Sequence, residues 1–333
     1  MTFQDLKKRC ENRNFDQIVI VVKDIFDELA QMQRIYGAKP GDVRIVNEKS
    51  NPILAGGLSV SYTERRATLF YENTSLCVVQ PVEGNTLYQQ YLDKYGEGIC
   101  CVRERIPADN YEAELARYTS KGYAPVQTES TSKAKKAWFD FTKALGILFE
   151  IISDDSEKLI PSYIIPDKIQ QINVTTPNVE KTIEEIADLM EIGPWELGVQ
   201  CKKTVHDHAF RNNGTLDAEV DFEFIVAILP CGNIEWEAIQ PVKGPLAYYD
   251  FLKRHGIGYH HILIEVPKSK WEDTFTDYAS KDIELACKGS VGPVDWCYMD
   301  TEKELKFYTE MRTDAVMTKL PDGYFMKFYP EEN

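Results

Sequence analysis

Apolar residues recur along the chain with two different periods, and the two periods alternate. Segments such as "YHHILIEV" (259–266) have apolar residues at every second position, which is typical of a strand buried on one face. Segments such as "VEKTIEEIADLM" (179–190) and "SKWEDTFTDYAS" (269–280) indicate amphipathic helices. The order strand, helix and three strands recurs and predicts an α+β fold of four βαβββ modules.

A long internal repeat organises these elements. The segment "VVQPVEGNTLYQQYLDKYGEGICCVRERIP" (78–107) aligns with "AIQPVKGPLAYYDFLKRHGIGYHHILIEVP" (238–267) at an unbroken offset of 160 residues. The same offset carries "WFDFTKALGILFEIISD" (138–154) onto "YMDTEKELKFYTEMRTD" (298–314), and the opening strands align at an offset of 154. The chain is therefore predicted to be a tandem duplication.

The repeat predicts two domains of the same design. Each domain is expected to combine two modules into a cup-shaped, eight-stranded mixed sheet, and the two domains to pack as a pseudo-dimer. The aromatic residues of the tail are expected to pack onto the body. The predicted order is an N-terminal helix in 1–14, a first domain in 15–153, an acidic linker with prolines in 154–167, a second domain in 168–318 and a tail in 319–333.

Composition and charge exclude several kinds of partner. The formal net charge of -15 disfavours nucleic acid and anionic lipid, and no apolar run is long enough to cross a bilayer. The eight cysteines form no C-x-x-C pair, and the N-terminus has no apolar leader, so we expect free thiols and a cytoplasmic protein. A small molecule is the expected partner, and the sequence leaves a homodimer open.

The two copies resemble the vicinal oxygen chelate superfamily, which includes glyoxalases, bleomycin-resistance proteins and dioxygenases. The resemblance is carried by the opening strand and helix, the "QPVxG...YxxFL...GxGxHHI" block and a glutamate in the last strand. Among its members, methylmalonyl-CoA epimerase is the most similar. The resemblance covers nearly the whole chain twice and implies a glyoxalase-like fold in both domains.

The resemblance also implies a metal site in the second domain. Superfamily members bind one divalent ion with residues from the first and last strand of each module. The donor types suit Mn, Co, Fe, Ni or Zn, although the superfamily usually has a histidine where this chain has Gln171. His206 and His208 share a strand face and are alternative ligands. The matched positions are Gln171, Glu237, His261 and Glu310.

Strand alternation separates the two adjacent histidines of the HHI block. His260 shares a face with Ile262 and Ile264, whereas His261 shares the other face with Leu263. The face with His260, Ile262 and Ile264 is the more apolar one and is therefore expected to face the core. We therefore expect His261 to face the cavity, and His260 to pack in the core or to support the metal site from behind.

The first copy lacks histidine, since all five histidines of the chain lie in the second. Two thiolates could bind a soft ion there, but we expect a degenerate copy that keeps the fold, widens the interface and shapes the pocket. Arg103 and Arg105 are expected either to bind a carboxylate or to be solvated or ion-paired. The positions that match the metal set are Gln17, Cys77, Cys101 and Glu150.

These residues predict an isomerase or epimerase that removes a proton next to a carbonyl group. A metal ion stabilises the enolate that results, and a carboxylate takes the proton. Candidates for this base are Asp221 and Glu223, on the strand where the epimerases carry an acidic base, and Glu310 acting after it leaves the metal.

Two other functions compete with this prediction. One is a non-haem dioxygenase, which shares the fold but uses two histidines and one carboxylate. The other is a metal-free small-molecule binding protein of the bleomycin-resistance type. The expected substrate is a small carbonyl compound, and a CoA thioester is implied only by the resemblance.

Overall fold

The computed structural model describes residues 2–38, 45–50, 52–132, 134–158, 161 and 164–332, with only the backbone described in 45–50. The chain forms two compact units. The first unit is Arg13–Pro166, and the second is Asp167–Asn333 together with Met1–Asn12. Both units mix helices with a sheet of parallel and antiparallel strands, which confirms the predicted α+β class.

In the first unit, strand β1 lies at the centre of the sheet. It pairs in parallel with β5 and antiparallel with β6, and the strand order is β2–β4–β5–β1–β6–β9–β8–β7–β3. The strands are β1 (Gln17–Val21), β2 (Ile45–Ser50), β3 (Ile53–Leu54), β4 (Tyr62–Phe70), β5 (Ser75–Glu83), β6 (Gly98–Ile106), β7 (Gln127–Ser130), β8 (Lys135–Phe141) and β9 (Ile147–Ser153). The helices are α2 (Ile25–Tyr36), α3 (Leu87–Tyr95), α4 (Tyr111–Ser120) and α5 (Thr142–Leu145).

The second unit repeats this order around β10, which pairs in parallel with β15 and antiparallel with β16. The strand order is β20–β11–β14–β15–β10–β16–β19–β18–β17–β12–β13. The strands are β10 (Ile169–Thr175), β11 (Trp195–Cys201), β12 (His206–Asn212), β13 (Thr215–Asp217), β14 (Glu223–Cys231), β15 (Ile234–Lys243), β16 (Gly258–Val266), β17 (Leu285–Val291), β18 (Val294–Met299), β19 (Tyr308–Thr313) and β20 (Phe325–Tyr329). The helices are α1 (Phe3–Cys10), α6 (Val179–Met190), α7 (Ala247–His255), α8 (Trp271–Ser280) and α9 (Glu302–Leu305).

Eight strands of each unit correspond in order among the described residues, and the additional strands lie at or beyond the edges. In the second unit the tail strand β20 extends the sheet beside β11, and Tyr324, directly before this strand, is 5% exposed. Residues 325–329 of the predicted tail are thus part of this unit's sheet. A strand formed from the tail was not expected, because "FMKFY" is short and has little apolar alternation.

The N-terminal helix α1 belongs to the second unit, although the sequence places it directly before the first. Thr2 caps it, since its hydroxyl accepts a hydrogen bond from the Asp5 amide. Phe3 packs edge-on against Phe328 with ring centroids 5.7 Å apart. No local sequence signal predicts this placement, because it depends on contacts with residues more than 180 positions away.

Side chains from alternate positions of the second unit's strands form one large apolar cluster, here called the aromatic cluster. The face of the sheet that carries it is called the inner face. Members of the aromatic cluster include Phe210, Phe222, Phe224, Val226, Ile239, Tyr248, Trp296, Tyr298, Tyr308 and Tyr324.

No helix among the described residues is long and apolar enough to cross a membrane.

Candidate metal centre

Three buried side chains converge on the inner face of the second unit. Glu237 comes from β15, His261 from β16 and Glu310 from β19. Each offers one ligand atom, and these atoms all lie within 4.8 Å of one another. The structure therefore brings together three of the four residues of the predicted metal set.

The contacts within this group centre on one imidazole nitrogen. His261 Nε2 lies 3.1 Å from Glu237 Oε2 and 2.9 Å from Glu310 Oε2. The imidazole is fully buried, and both carboxylates are less than a tenth exposed. A single N–H shared between two carboxylates forms a bifurcated hydrogen bond, which satisfies each carboxylate less well than a donor of its own.

The spacing of the donors fits a shared divalent ion. Metal bonds of about 2.0–2.2 Å to nitrogen and oxygen put neighbouring donors roughly 3 Å apart when the bonds meet near a right angle. The two contacts of His261 have this length, and two buried carboxylates side by side need a positive charge between them. One imidazole and two carboxylates form a donor set that Mn, Fe, Co, Ni and Zn accept.

Burial and charge act in opposite directions on the acid–base behaviour of the group. Burial lowers the pKa of His261, but hydrogen bonds and charge interactions with Glu237 and Glu310 outweigh burial and raise it to about 9. Burial raises the pKa of Glu237, although its hydrogen bond to His261 opposes the shift. Without a metal ion the imidazole therefore holds a proton at neutral pH, and an ion would replace that proton.

A β-bulge places His260 on the same side of the strand as His261. Ile172 pairs with Ile262 and Val174 with Tyr259, so two residues of β16 lie opposite Asn173 alone. The predicted alternation of the two histidines is therefore wrong at His260. The equivalent bulge occurs in the first unit, where the register of β6 against β1 shifts at Cys100.

His260 supports the group rather than joining it. Its Nδ1 lies 3.0 Å from Nδ1 of His261, and its ring stacks on Tyr308 with centroids 4.4 Å apart. Burial, followed by the charge of His261, lowers the pKa of His260 well below the ordinary value, so its ring is neutral. A neutral His260 can accept the Nδ1 proton of His261, which leaves Nε2 of His261 free to bind a metal ion.

Gln171, the fourth predicted ligand, does not join the group of three. Its amide Nε2 donates to Glu235 Oε1 at 2.6 Å, and Arg312 Nη1 donates to the same oxygen at 3.1 Å. Asn173 lies two residues further along the same face, and its Nδ2 donates to Glu237 Oε2 at 2.9 Å. The prediction missed Asn173, which strand alternation from Gln171 could have identified.

Neither residue of the acidic pair predicted as the base lies at the group. The Asp221 side chain is 64% exposed and forms an ion pair with Lys243. Glu223 lies between Phe222 and Phe224, which both turn into the aromatic cluster, so strand alternation directs Glu223 to the opposite face. The structure thus brings neither predicted carboxylate to the group of three, because the phenylalanines beside them occupy the inner face.

The alternative histidine ligands also lie outside the group. His206 is 59% exposed, and its ring nitrogens lie 2.8 Å from Asp207 Oδ2 and 2.9 Å from the Gly292 carbonyl oxygen. His208 packs against Phe222, with ring centroids 5.0 Å apart. The two histidines do not share a face, because Asp207 between them has a positive φ of 50° and the pairing with β17 shifts there.

The first unit has no corresponding metal group among its described residues. Cys77 and Cys101 are buried in an apolar cluster, and burial raises the pKa of the Cys101 thiol, which disfavours thiolate ligands. Glu150 is 1% exposed, and burial raises its pKa as well. Gln17 donates to the Ser75 hydroxyl at 3.3 Å.

The two arginines of the first unit are ion-paired, which is one of the alternatives that the sequence left open. Arg103 Nε donates to Asp16 Oδ1 and Arg105 Nε donates to Asp16 Oδ2, both at 2.7 Å. Arg105 also donates to the Ser153 carbonyl oxygen at 3.2 Å. Both guanidinium groups are thus committed to contacts within their own unit.

Comparison with solved structures supports the fold. The chain is similar to a mutant of 4-hydroxymandelate synthase from Streptomyces coelicolor, with a TM-score of 0.56, 12% identity and coverage of 92% of this chain and 94% of that one. It is also similar to a halotolerant catechol dioxygenase, with a TM-score of 0.51, 12% identity and coverage of 95% and 93%.

No protein-family model matches the sequence, and no curated protein is significantly similar to it. The two solved structures belong to the vicinal oxygen chelate superfamily, and neither supports the more specific resemblance to methylmalonyl-CoA epimerase. At 12% identity the likeness concerns architecture rather than activity. The chain therefore shares the fold of these two solved structures.

Proposed function

We propose that this protein is a metal-dependent enzyme with one active site, in its second unit. The observation that carries the proposal is the convergence of Glu237, His261 and Glu310 in a buried group. Three ionisable side chains removed from water are costly unless a cation or a proton compensates their charge. The first unit maintains the fold and binds no ion.

The reaction that this donor set supports best is removal of a proton next to a carbonyl group. A divalent ion bound there would act as a Lewis acid on the substrate oxygen. Buried surroundings strengthen such electrostatic stabilisation, because water does not screen it. The product class is an isomer or epimer of a small carbonyl compound.

Glu310 is the better candidate for the base. Oxygen Oε2 of Glu237 accepts hydrogen bonds from His261 and Asn173, which fix that carboxylate. Oε2 of Glu310 is buried and lies 2.9 Å from the same His261 nitrogen that donates to Glu237, and no second donor is directed at it among the described residues. The carboxylate that is held less firmly can turn towards a substrate proton. Asp221 and Glu223 lose their proposed role, because the structure directs both away from the group.

A second candidate function is oxygen insertion by a non-haem iron enzyme. It is favoured by the structural neighbours, one of which is a catechol dioxygenase. The donor set favours it less, since only one imidazole belongs to the group and Nδ1 of His260 is directed at His261. The two candidates differ in whether molecular oxygen is consumed.

One set of measurements on metal-loaded protein separates the candidates. A panel of small 2-oxo acids and α-hydroxy ketones is incubated in deuterated water, and loss of the C–H signal is followed by proton NMR while an electrode records oxygen. Exchange without oxygen uptake supports the isomerase, and uptake supports the dioxygenase. A protein that holds no ion and binds these compounds unchanged overturns both and supports the binding-protein alternative.

A further inference from the structure

A carboxylate and a guanidinium beside the proposed metal group hold the side chain of Gln171. Glu235 Oε1 accepts one hydrogen bond from Gln171 Nε2 at 2.6 Å and another from Arg312 Nη1 at 3.1 Å. Register brings the three together: Gln171 lies beside Glu235 on adjacent parallel strands, and Arg312 follows two residues after Glu310 on β19. Neither Glu235 nor Arg312 belongs to the group of three donors.

This contact decides which way the Gln171 amide faces. An ionised carboxylate only accepts hydrogen bonds, so the amide must present its NH₂ group to Glu235 and turn its oxygen away. Arg312 Nη1 donates to the same oxygen, which therefore acts as an acceptor, although burial raises the pKa of the Glu235 carboxyl. The orientation of the amide is thus set by two neighbours rather than by Gln171 itself.

The oxygen that is turned away has no partner. Gln171 is 1% exposed, and its Oε1 is buried without a hydrogen bond. A buried carbonyl oxygen left in this state costs about 1–3 kcal/mol. Gln171 shares the inner face with Asn173, which contacts Glu237, and lies in one row with Leu263 and Glu310. The free oxygen therefore lies on the side of the sheet that carries the proposed metal group.

The first unit has an equivalent glutamine, whose amide contacts a hydroxyl instead of a carboxylate paired with an arginine. Gln17 occupies the equivalent place on β1, and its partner is the Ser75 hydroxyl at 3.3 Å. The Ser75 hydroxyl itself donates to the Asp16 carbonyl oxygen at 2.8 Å, so it accepts from Gln17 as a neutral group, which holds an amide less firmly than a carboxylate does. The difference coincides with the loss of the other donors, since Cys77 and Cys101 replace a glutamate and a histidine.

We propose that Glu235, held by Arg312, is a positioning residue that turns the oxygen of Gln171 towards the metal ion and so completes the site with a neutral fourth donor. This inference rests on the proposed metal-dependent function. It explains why the chain tolerates glutamine where the superfamily usually has histidine. An amide can serve as a reliable donor only if its nitrogen is bound elsewhere.

The test is a metal titration on four proteins: wild type, Glu235→Gln, Gln171→Ala and the double variant. Removing the charge of Glu235 lets its own NH₂ group donate to Gln171 Oε1, so we expect affinity for Co²⁺ to fall about 10- to 100-fold, as is typical when a group that orients a ligand is lost. In the Gln171→Ala background the same change should have little further effect. The visible spectrum of bound Co²⁺ should change alike in all three variants.

Two controls separate positioning from a general loss of structure. Ser75→Ala alters the equivalent contact in the first unit and should leave Co²⁺ affinity unchanged. Glu235→Ser reproduces the Gln17–Ser75 pair of the first unit. This variant should bind Co²⁺ more weakly than wild type, because a neutral hydroxyl holds the Gln171 amide less firmly than the carboxylate does. Glu235→Ser is also the substitute if Glu235→Gln does not fold.

The outcomes distinguish this inference from the proposed function. If wild type binds one ion and Glu235→Gln binds it equally tightly with an unchanged spectrum, the positioning role is refuted while the metal site stands. Additive losses from Glu235→Gln and Gln171→Ala refute it as well, because the two residues would then act independently. If wild type binds no ion, the proposed function itself fails.

Discussion

His260 and His261 are adjacent in the chain, yet their Nδ1 atoms lie 3.0 Å apart because a β-bulge directs both rings to the inner face. One ring stacks on Tyr308, and the other contacts Glu237 and Glu310. The two adjacent histidines therefore link the aromatic cluster, which His260 contacts, to the proposed metal group, which contains His261. This arrangement makes the orientation of His261 depend on His260.

The first prediction tests that dependence with His260→Phe. Phenylalanine keeps the stacking on Tyr308 but removes the acceptor for the Nδ1 proton of His261. We expect metal affinity to fall about 10- to 100-fold with little loss of stability. Isothermal titration with Co²⁺ or Mn²⁺ and a thermal melt measure the two effects. Cys100→Ser, at the equivalent bulge of the first unit, is the control, and an unchanged affinity in His260→Phe would show that the contact has no orienting role.

The second prediction concerns pH. The pKa of His261 is raised to about 9 in the metal-free protein, so a metal ion must displace a proton at any lower pH. Metal affinity should rise roughly tenfold per pH unit up to about pH 9 and then level off. Competition with a chelator of known affinity, measured at several pH values, gives this slope. A flat profile between about pH 6 and 8 would mean that His261 is already neutral.

The same shift should appear in the stability of the metal-free protein. A group whose pKa rises from about 6.5 on folding stabilises the folded state below that value, and the stabilisation is lost as the pH rises through about 9. Metal-loaded protein should lack this loss, since its imidazole carries no proton at Nε2. Denaturant unfolding at pH values on both sides of this window compares the two forms.

The third prediction concerns the thiols. All eight cysteines are free, and seven of them are buried, with Cys201 the partly exposed exception. A thiol reagent should therefore label Cys201 first in the native protein, and the others only after denaturation. Titration under denaturing, non-reducing conditions should find eight thiols per chain. A value near six would indicate a disulfide and would contradict the expected reducing environment.

The fourth prediction concerns the attachment of the tail. A Cβ atom at Gly198 would lie 2.5 Å from Cε1 of Tyr324, directly before the strand that pairs with β11. Gly198→Ala should therefore lower the free energy of unfolding by about 1–3 kcal/mol. Tyr324→Leu should relieve part of the clash in the double variant, so the two effects should not add. Purely additive effects would show that the tail adjusts without strain.

Part of this structure follows from pattern alone. The period of two, the helical segments and the 160-residue offset predict the α+β class and equivalent elements in two copies. The offset also aligns Cys101 with His261 and Glu150 with Glu310, and the structure has both pairs on equivalent strands. Such positions are predictable because a strand has a fixed side-chain period.

Other features depend on interruptions of the side-chain period of a strand or on contacts between segments that are distant in the sequence. The bulge at His260 inserts one residue into the pairing, and hydrophobic alternation carries no sign of it. Asp221 and Glu223 lie in the expected segment but on the outer side, because phenylalanines beside them occupy the aromatic cluster. The amide orientation of Gln171 depends on Arg312, 141 positions away, as their common contact with Glu235 shows.

The fifth prediction concerns the ligands themselves. His261→Ala and Glu310→Gln should each abolish metal binding and nearly all activity, because each removes a direct ligand and therefore both charge and geometry. The effect should exceed the 10- to 100-fold expected of His260→Phe. Cys101→Ala, at the position in the first unit that matches His261, should change neither metal content nor activity.

Elemental analysis of protein purified without chelator, run in parallel on wild type and His261→Ala, tests the central claim most directly. The arrangement of Glu237, His261 and Glu310 predicts one divalent ion per wild-type chain and none in the variant. Two equivalent ions per chain, an ion retained by His261→Ala, or full activity in metal-free protein would contradict a single catalytic metal site in the second unit.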